Sequence, residues 1–244
     1  MIKDDIIEEL KKYPSFARTD VQRVMESAGY NISTSIVNHA INQMVAEKRI
    51  TRKGRNQYVV STAECYSYLY SDMAVTIADE IHARHPFLDF RIFELVQLNE
   101  FVNHQIANNI LFVSVEGGFE SDVFNTLWEK HHGYILLKPT SEDLFRYLVE
   151  DLIVITKLPS ESPKGISDFW KTRLEKMLVD IAVDKLLRSV VSSGEYPAIF
   201  GESLKKYVVD KSTLTRYANR RGSLEKFRLF LKEEAKISEE VFMI

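Results

Sequence analysis

Short polar side chains recur in one segment of the N-terminal quarter, and their chemistry suits contact with DNA bases. They are Ser33, Thr34, Ser35, Asn38, His39 and Asn42. Hydroxyl, amide and imidazole groups of this size can hydrogen-bond to base edges in the major groove, which is about as wide as a helix. We therefore predict that this segment reads DNA, with Ser33 as a helix cap whose neighbouring amides can face a phosphate.

A run of positive charge follows this segment directly. Five of the eight residues from 48 to 55 are lysine or arginine, and none is acidic. Cations attract the phosphate backbone without reading the sequence of the bases. The predicted phosphate contacts are Arg52, Lys53 and Arg55, and Asn56 beside them is predicted to face the DNA. Two alternatives to DNA binding stay open. The polar helix face is only solvated, or the domain binds protein instead of DNA.

Carboxylates beside predicted strands are the residues that a metal-dependent nuclease would use. They are Asp89, Glu94 and Glu116. Such a site needs two carboxylates within reach of a divalent ion and a lysine nearby. The usual acid-x-lysine step is absent, because no acid stands two residues before Lys138 or Lys157. The sequence therefore predicts no catalytic residue and no enzyme, and a nuclease stays an alternative.

Other residues with metal or phosphate chemistry have simpler interpretations. Asp79, His82 and His85 have a spacing that suits zinc on one helix face, but without a further ligand we interpret them as a solvated polar face. Cys65 is the only cysteine, which excludes an intrachain disulfide, and we predict a buried, inert thiol. The Gly117-Gly118 pair lacks the rest of a phosphate-binding motif and predicts a tight turn. No metal and no cofactor is expected.

The polar segment requires a helix to position it. An apolar stripe predicts a helix from Ser33 to Lys48, and the stripe is Ile36, Val37, Ala40, Ile41, Met44 and Val45. Residues 49–60 predict a β-hairpin with Gly54 at its tip. Two shorter helices are predicted before the Ser33–Lys48 helix. The first ends at Tyr13; the second begins with a capping pattern at Thr19 and ends at Gly29. Three helices followed by a hairpin predict a winged helix-turn-helix over residues 1–60.

The middle of the chain predicts a sheet with helices packed on it. A mostly helical connector, Ser61–Arg84, comes first. The predicted strands are Asp89–Glu94, Asn109–Val115, Gly133–Lys138 and Leu152–Lys157, and the predicted helices are Leu95–Ala107, Phe119–Lys130 and Ser141–Val149. Strands that alternate with helices in this way indicate an α/β domain whose sheet is parallel at least in part.

Beyond a loop rich in proline and serine, Pro159–Gly165, the chain predicts helices only, so this loop is a possible domain break. The predicted helices are one long helix from Phe169 to Leu187, then Ile199–Tyr207, Ser212–Arg221 and Leu224–Ala235. Arg220, Arg221 and Gly222 have the pattern of a helix end. The predicted fold class is α/β, α+β overall: a winged helix at residues 1–60, then an α/β domain with a helical C-terminal end at 61–244.

The charge is uneven along the 244 residues although the net charge is only −3. Residues 1–60 hold ten Lys/Arg and seven Asp/Glu, a net of +3, which leaves −6 for residues 61–244. This asymmetry suits an N-terminal module that contacts nucleic acid. No apolar run approaches the length of a membrane span and no leader pattern opens the chain, so we predict a cytoplasmic protein without a membrane partner.

Three helical segments, read together with the predicted winged helix and α/β middle, resemble a known family. The segments are Arg173–Asp180, Tyr207–Asp210 and Leu214–Arg221. They are similar to the AbiEi family of type IV toxin–antitoxin antitoxins, and the similarity in layout covers most of the chain. The resemblance implies a bacterial antitoxin that binds its own promoter through positions 33–42 and 52–56 and counters a nucleotidyltransferase-like toxin. It transfers no catalytic residue. A winged-helix regulator that senses a ligand and a nuclease targeted to DNA are the alternatives.

Overall fold

The structure is a computed structural model that describes residues 4–30, 32–47, 49–61 and 65–237, without the side chain of Lys53. The protein is a mixed α/β protein with one two-stranded and one four-stranded sheet in the described residues. It divides into two compact units, Met1–Tyr66 with Lys205–Val208, and Ser67–Leu204 with Val209–Ile244. Each unit has its own apolar core.

The first unit contains three helices and a hairpin. The helices are α1 (Asp4–Leu10), α2 (Arg18–Ser27) and α3 (Thr34–Ala46), and the antiparallel strands are β1 (Ile50–Gly54) and β2 (Gln57–Val60). Side chains of all three helices, Phe16 and Ile50 build the core. Phe16 and Tyr58 exchange two N–H···O bonds of 2.8 Å, so a short extended segment lies beside β2.

Local signals in the sequence account for the ends of these helices. Ser33 caps α3 as predicted, because its Oγ accepts the Ile36 amide at 3.3 Å. Gly29 follows α2 with φ +83°, the left-handed geometry that glycine adopts without steric cost. The cap predicted at Thr19 is wrong. The cap of α2 is Ala17, whose amide donates to Asp20 Oδ2 at 2.8 Å.

Two details of α3 and the hairpin differ from the prediction. Ile36 and Val45 are 45% and 38% exposed, because four other side chains already fill the inner face of the helix. The helix ends at Ala46, and the predicted end at Lys48 lies outside the described residues. The tip of the hairpin is not Gly54, since Asn56 takes the left-handed conformation there, with φ +54°.

The sheet of the second unit has the strand order β3-β4-β6-β5. Its strands are β3 (Phe90–Glu94), β4 (Ile110–Val115), β5 (Ile135–Leu137) and β6 (Leu152–Lys157). β4, β6 and β5 are parallel and β3 is antiparallel to β4, so the predicted partly parallel sheet is confirmed. Val115 pairs with Lys157, which brings the carboxyl ends of β4 and β6 to the same edge.

Helices cover and follow this sheet. They are α4 (Asp72–Arg84), α5 (Glu120–His131), α6 (Ser141–Arg146), α7 (Leu174–Val183), α8 (Lys185–Val190), α9 (Tyr196–Lys206), α10 (Lys211–Arg220) and α11 (Leu224–Glu233). α5 connects β4 to β5, and α6 connects β5 to β6. In the described part of the chain, no helix has the length and apolar character needed to cross a bilayer.

Several predicted elements of the second unit are shorter than expected. The connector becomes helical only at Asp72, residues 65–70 have no regular structure, and residues 62–64 lie outside the described residues. The helix predicted over Leu95–Ala107 is a single 3-10 stretch, Leu95–Glu100. All five residues of β3 are buried. Apolar spacing overestimated the helix after Leu95, because hydrogen bonds to side chains hold the chain beyond Glu100. Asn99 Oδ1 accepts the Ile106 amide and Glu195 Oε2 accepts the Asn103 amide, both at 2.7 Å.

The long helix predicted from Phe169 to Leu187 is two helices. α7 begins at Leu174, and the chain breaks at Asp184 between α7 and α8. The Asp184 carboxylate accepts the amides of Leu186 and Leu187 at 3.0 and 3.3 Å, so it caps the second helix.

Two other caps lie one or two residues earlier than predicted. Thr140 rather than Ser141 caps α6, which ends at Arg146 and does not reach Val149. Asp210 caps α10, whose predicted start was Ser212.

Candidate nucleic-acid interface

The outer face of α3 exposes a set of polar side chains. Thr34, Ser35, Asn38, His39 and Asn42 are all exposed, while Val37, Ala40, Ile41 and Met44 are buried on the opposite face. Within the described residues, none of these five polar side chains forms a hydrogen bond. Their donors and acceptors are therefore available to an external ligand. Ser33, in contrast, uses its side chain internally, as the cap.

The hairpin carries the positive charge that α3 lacks. No residue of α3 is charged, whereas Arg52 and Arg55 on the hairpin are exposed. Arg52 Nε donates to the Gly54 carbonyl at 3.1 Å, and neither arginine has an acidic partner within the described part of the chain. The side chain of Lys53 lies outside the described residues. α3 and β1 are in contact, so a neutral hydrogen-bonding surface and a cationic one belong to a single unit.

Asn56 has a structural role that the sequence did not reveal. Its Oδ1 accepts the Arg18 amide at 3.1 Å, which joins the tip of the hairpin to the first residue of α2. Together with its left-handed backbone, this bond fixes the turn. For the DNA contact predicted at this position, the side-chain Nδ2 is the group that this bond leaves available.

Cys65 is not the buried thiol that we predicted. It is exposed, and its Sγ–H donates to the Glu47 carbonyl at 3.0 Å. The prediction failed because residue 65 belongs to an irregular stretch and not to the apolar face of a helix.

The carboxylates considered for a nuclease do not act as one group. Asp89 and Glu116 line the same cleft of about 540 Å³ at the carboxyl edge of β4 and β6. Glu94 lies apart from it, fully buried, and accepts the Ser71 amide at 3.0 Å and Asn109 Nδ2 at 3.1 Å. In the residues that the structure describes, no group of three or more His, Cys, Asp or Glu could hold a metal ion.

Asp89 is already engaged by cations of its own unit. The buried Arg91 donates to both of its oxygens, Nη1 to Oδ1 at 2.8 Å and Nη2 to Oδ2 at 3.4 Å, and Lys164 Nζ lies 3.6 Å from Oδ1. A bidentate arginine engages both oxygens and neutralises the charge that would attract a metal ion. The Glu116 carboxylate, in contrast, has no partner among the described residues.

The histidine and glycine patterns of the second unit have internal explanations. His85 Nε2 lies 3.0 Å from Thr126 Oγ1, and the His82 ring packs near Phe169, 6.1 Å between ring centres. The Gly118 amide donates to Glu120 Oε2 at 2.7 Å, so the carboxylate of its own helix fills the place that a phosphate would take. These residues form a polar surface and a tight turn.

A buried ionic network connects α7 with the end of α10, which contain two of the segments compared above with the AbiEi family. Asp180, 5% exposed, accepts Lys176 Nζ at 2.5 Å and Tyr217 Oη at 2.9 Å, and also pairs with Arg221. Burial alone would raise the pKa of Asp180, but the charges of Lys176 and Arg221 outweigh it and lower that pKa. Arg221 also reaches Asp184 at 3.2 Å. It therefore does not only end α10, as predicted, but joins it to α7.

The fold and these surfaces define the class of protein: a mixed α/β chain with a small helical unit that exposes a polar and cationic surface. The chain belongs to a family of unknown function, DUF6577, whose model matches residues 36–237. Among solved structures, it is similar to the RV2827C protein from Mycobacterium tuberculosis, with 10% identity, a TM-score of 0.36, and coverage of 98% of this chain and 80% of that chain. No curated protein matches the chain.

Proposed function

We propose that the first unit is a winged helix-turn-helix that binds double-stranded DNA, and that the protein is a cytoplasmic transcriptional autoregulator. The observation that carries this proposal is the polar face of α3, which lies in the same unit as Arg52 and Arg55. Within the described residues, its five exposed polar side chains form no hydrogen bond and neither arginine has an acidic partner. In winged domains the third helix enters the major groove, while contacts with phosphates fix the orientation of the protein.

The packing of the hairpin supports this assignment. Two backbone bonds between Phe16 and Tyr58 attach the hairpin to the segment before α2, and the Asn56–Arg18 bond attaches it to the first residue of α2. The hairpin is thus held in the middle of β2 and at its tip, and Arg55 stands on an anchored turn. An anchored cation loses less conformational entropy on binding than one on a free loop, which favours phosphate contact.

Base recognition falls on the amides of α3. Asn38 and Asn42 are one helical turn apart and both exposed, and an asparagine can bond an adenine edge through two hydrogen bonds. Each such pair discriminates against the wrong base by about 1–3 kcal/mol.

Selection of bound duplexes from a random pool tests this role. We expect Asn38→Ala and Asn42→Ala each to change the preferred base at one or two positions of the site. Asn125→Ala, at an exposed asparagine of α5 in the second unit, is the matched control and should retain the original preference. A wild-type protein that enriches no sequence, or variants that enrich the same one, would contradict sequence reading by α3.

We further propose that the regulator is an antitoxin of the AbiEi type, which counters a nucleotidyltransferase-like toxin. This part rests on the resemblance of the segments around Arg173–Asp180 and Leu214–Arg221. The second unit offers a surface for protein contact, since Trp128 on α5 is 45% exposed and stacks near Phe124, 5.3 Å between ring centres. Exposed aromatic side chains are enriched at protein interfaces.

Co-expression with the product of an adjacent nucleotidyltransferase-like gene tests the antitoxin role. We expect the full chain to restore growth, and Arg52→Ala/Arg55→Ala to restore it equally, because the proposed toxin contact does not involve the hairpin. Failure of the wild-type chain to restore growth would refute the antitoxin role and leave DNA binding to be judged by its own experiment.

A further inference from the structure

The cleft at the carboxyl edge of β4 and β6 has the location and size of a ligand site. Its volume is about 540 Å³, within the usual range of small-molecule pockets, about 300–1,000 Å³. Ligands of α/β proteins bind outside the carboxyl ends of parallel strands. Glu116 follows β4 and Lys157 ends β6, so both residues stand at this edge.

Two opposite charges line this cleft, one on Lys157 and one on Glu116. Lys157 and Glu116 are exposed, and neither side chain forms an ion pair or hydrogen bond within the described part of the chain. Lys157 lies against Gly117: a Cβ atom at residue 117 would stand 2.7 Å from Lys157 Cε, inside van der Waals contact. The glycine thus gives the lysine its place in the cleft.

Arg220 is a second cation that lines this cleft. Its Nε donates to Ser160 Oγ at 3.0 Å and lies 3.3 Å from Glu161 Oε1. Its other two guanidinium nitrogens form no hydrogen bond with the described residues. The next residue, Arg221, pairs with the buried Asp180, which holds this end of α10 in place. The cleft therefore offers two cationic groups to a ligand, the ammonium of Lys157 and the remaining nitrogens of the Arg220 guanidinium.

We propose that this cleft binds a ribonucleotide, with its phosphate on Lys157 and Arg220 and a ribose hydroxyl on Glu116. Lysine and arginine are the usual phosphate-binding side chains, and an acidic side chain is the usual acceptor for ribose hydroxyls in α/β nucleotide sites. A divalent metal ion fits less well, because Arg91 occupies both oxygens of Asp89 and leaves Glu116 as the one unpaired carboxylate of the described lining. This inference goes beyond DNA binding and does not depend on it.

Calorimetric titration of the full chain with the four ribonucleoside 5′-monophosphates tests the proposal. We expect saturable binding of at least one of them, and at least about tenfold weaker binding of the corresponding nucleoside, which lacks the charge-assisted phosphate contacts. The 2′,3′-dideoxy nucleotide should also bind more weakly. Inorganic phosphate serves as the probe for simple anion binding and should bind far more weakly than the nucleotide.

Variants separate the two contacts. Lys157→Met should raise the Kd of the nucleotide about tenfold and leave that of the nucleoside unchanged. Glu116→Gln should reduce the difference between the ribonucleotide and its dideoxy form. Gly117→Ala should also weaken binding of the nucleotide, since the added methyl group displaces the flexible end of the Lys157 side chain. The fold should tolerate this change, because the atoms that the methyl group meets belong to that side chain. Lys185→Met, at an exposed lysine of α8, is the matched control and should bind like the wild type.

Three results would overturn the proposal. One is the absence of binding for all four nucleotides at millimolar concentration. Another is an unchanged Kd in both Lys157→Met and Gly117→Ala. The third is equally tight binding of inorganic phosphate, which would mean an adventitious ion only.

Discussion

At the scale of single residues, Asn56 determines the shape of the hairpin tip. Its φ of +54° is costly for most side chains, by about 1–2 kcal/mol, and asparagine tolerates it better than alanine does. Asn56→Ala should lower the free energy of unfolding of the first unit by about 1–2 kcal/mol through this backbone cost and the loss of the bond to Arg18. Asn56→Gly, which loses only the bond, should cost less. Urea unfolding followed by circular dichroism measures both, and an equal or larger loss for the glycine variant would refute this explanation.

Asp180 is the residue on which the ionic network depends. Asp180→Asn would leave Lys176 and Arg221 without their shared carboxylate in the interior, and removal of one partner of a buried pair costs about 3–5 kcal/mol. Thermal and urea unfolding measure this loss. Glu225→Gln, which breaks an exposed pair with Arg228, is the control and should change stability by less than about 1 kcal/mol. Similar effects of the two variants would show that the network does not stabilise the unit.

The same carboxylate makes the stability of the second unit depend on acid. The pKa of Asp180 is lowered in the folded chain, so its contribution is complete above the unfolded value of about 3.9 and is lost as the pH falls through the folded pKa. Melting temperatures measured from about pH 6 down to about pH 3 should therefore fall less steeply in Asp180→Asn than in the wild type. If the melting temperatures of the two proteins fall in parallel with pH, the result would contradict a lowered pKa of Asp180 in the folded chain.

At the scale of elements, Ser33 fixes the start of α3. Ser33→Ala removes the acceptor of the Ile36 amide and should lower the free energy of unfolding by about 1 kcal/mol, the usual value of a serine cap. Ser35→Ala is the matched control, because Ser35 is exposed, lies inside the helix and has no hydrogen bond within the described residues. Chemical denaturation compares the two variants. A control as unstable as Ser33→Ala would exclude the cap as the cause.

Elements with a local signal were predictable, and elements that depend on distant contacts were not. The serine cap and apolar spacing located α3, and unbroken apolar runs located β4 and β6 within one residue. The break at Asp184 escaped prediction because the apolar spacing continues through it, and only the cap geometry of α8 reveals it. The segment after Glu100 fails to continue as a helix although its composition allows one.

Contacts between residues far apart in sequence also changed the interpretation of single sites. Arg91 donates to the Pro163 and Ser162 carbonyls at 3.1 and 3.3 Å, which ties the loop predicted as a break into the core of the second unit. Arg221 matched the pattern of a helix end, yet its carboxylate partner Asp180 lies 41 residues earlier. A single sequence does not predict the partners of Arg91 or Arg221, because arginine is common both in loops and at helix ends.

At the scale of the whole molecule, the two compact units have different chemistry. The first exposes neutral hydrogen-bonding groups and two arginines that have no acidic partner among the described residues, which suits a duplex. The second combines a partly parallel sheet with a polar cleft at its carboxyl edge, which suits a small charged ligand. Each assignment can fail without the other, since no residue serves in both sites.

The salt dependence of DNA binding tests the central claim most directly. The affinity of the wild type for duplex DNA, measured by fluorescence anisotropy over a range of salt concentrations, should fall steeply as salt rises. In Arg52→Ala/Arg55→Ala the slope of log K against log salt should be shallower by about 1.8, or about 0.9 for each lost phosphate contact. Lys11→Ala/Lys12→Ala removes the same charge from the turn after α1, where both lysines pair with glutamates of α1, and should keep the wild-type slope. An unchanged slope in the arginine variant, or the same change in the lysine control, would contradict DNA binding by the hairpin.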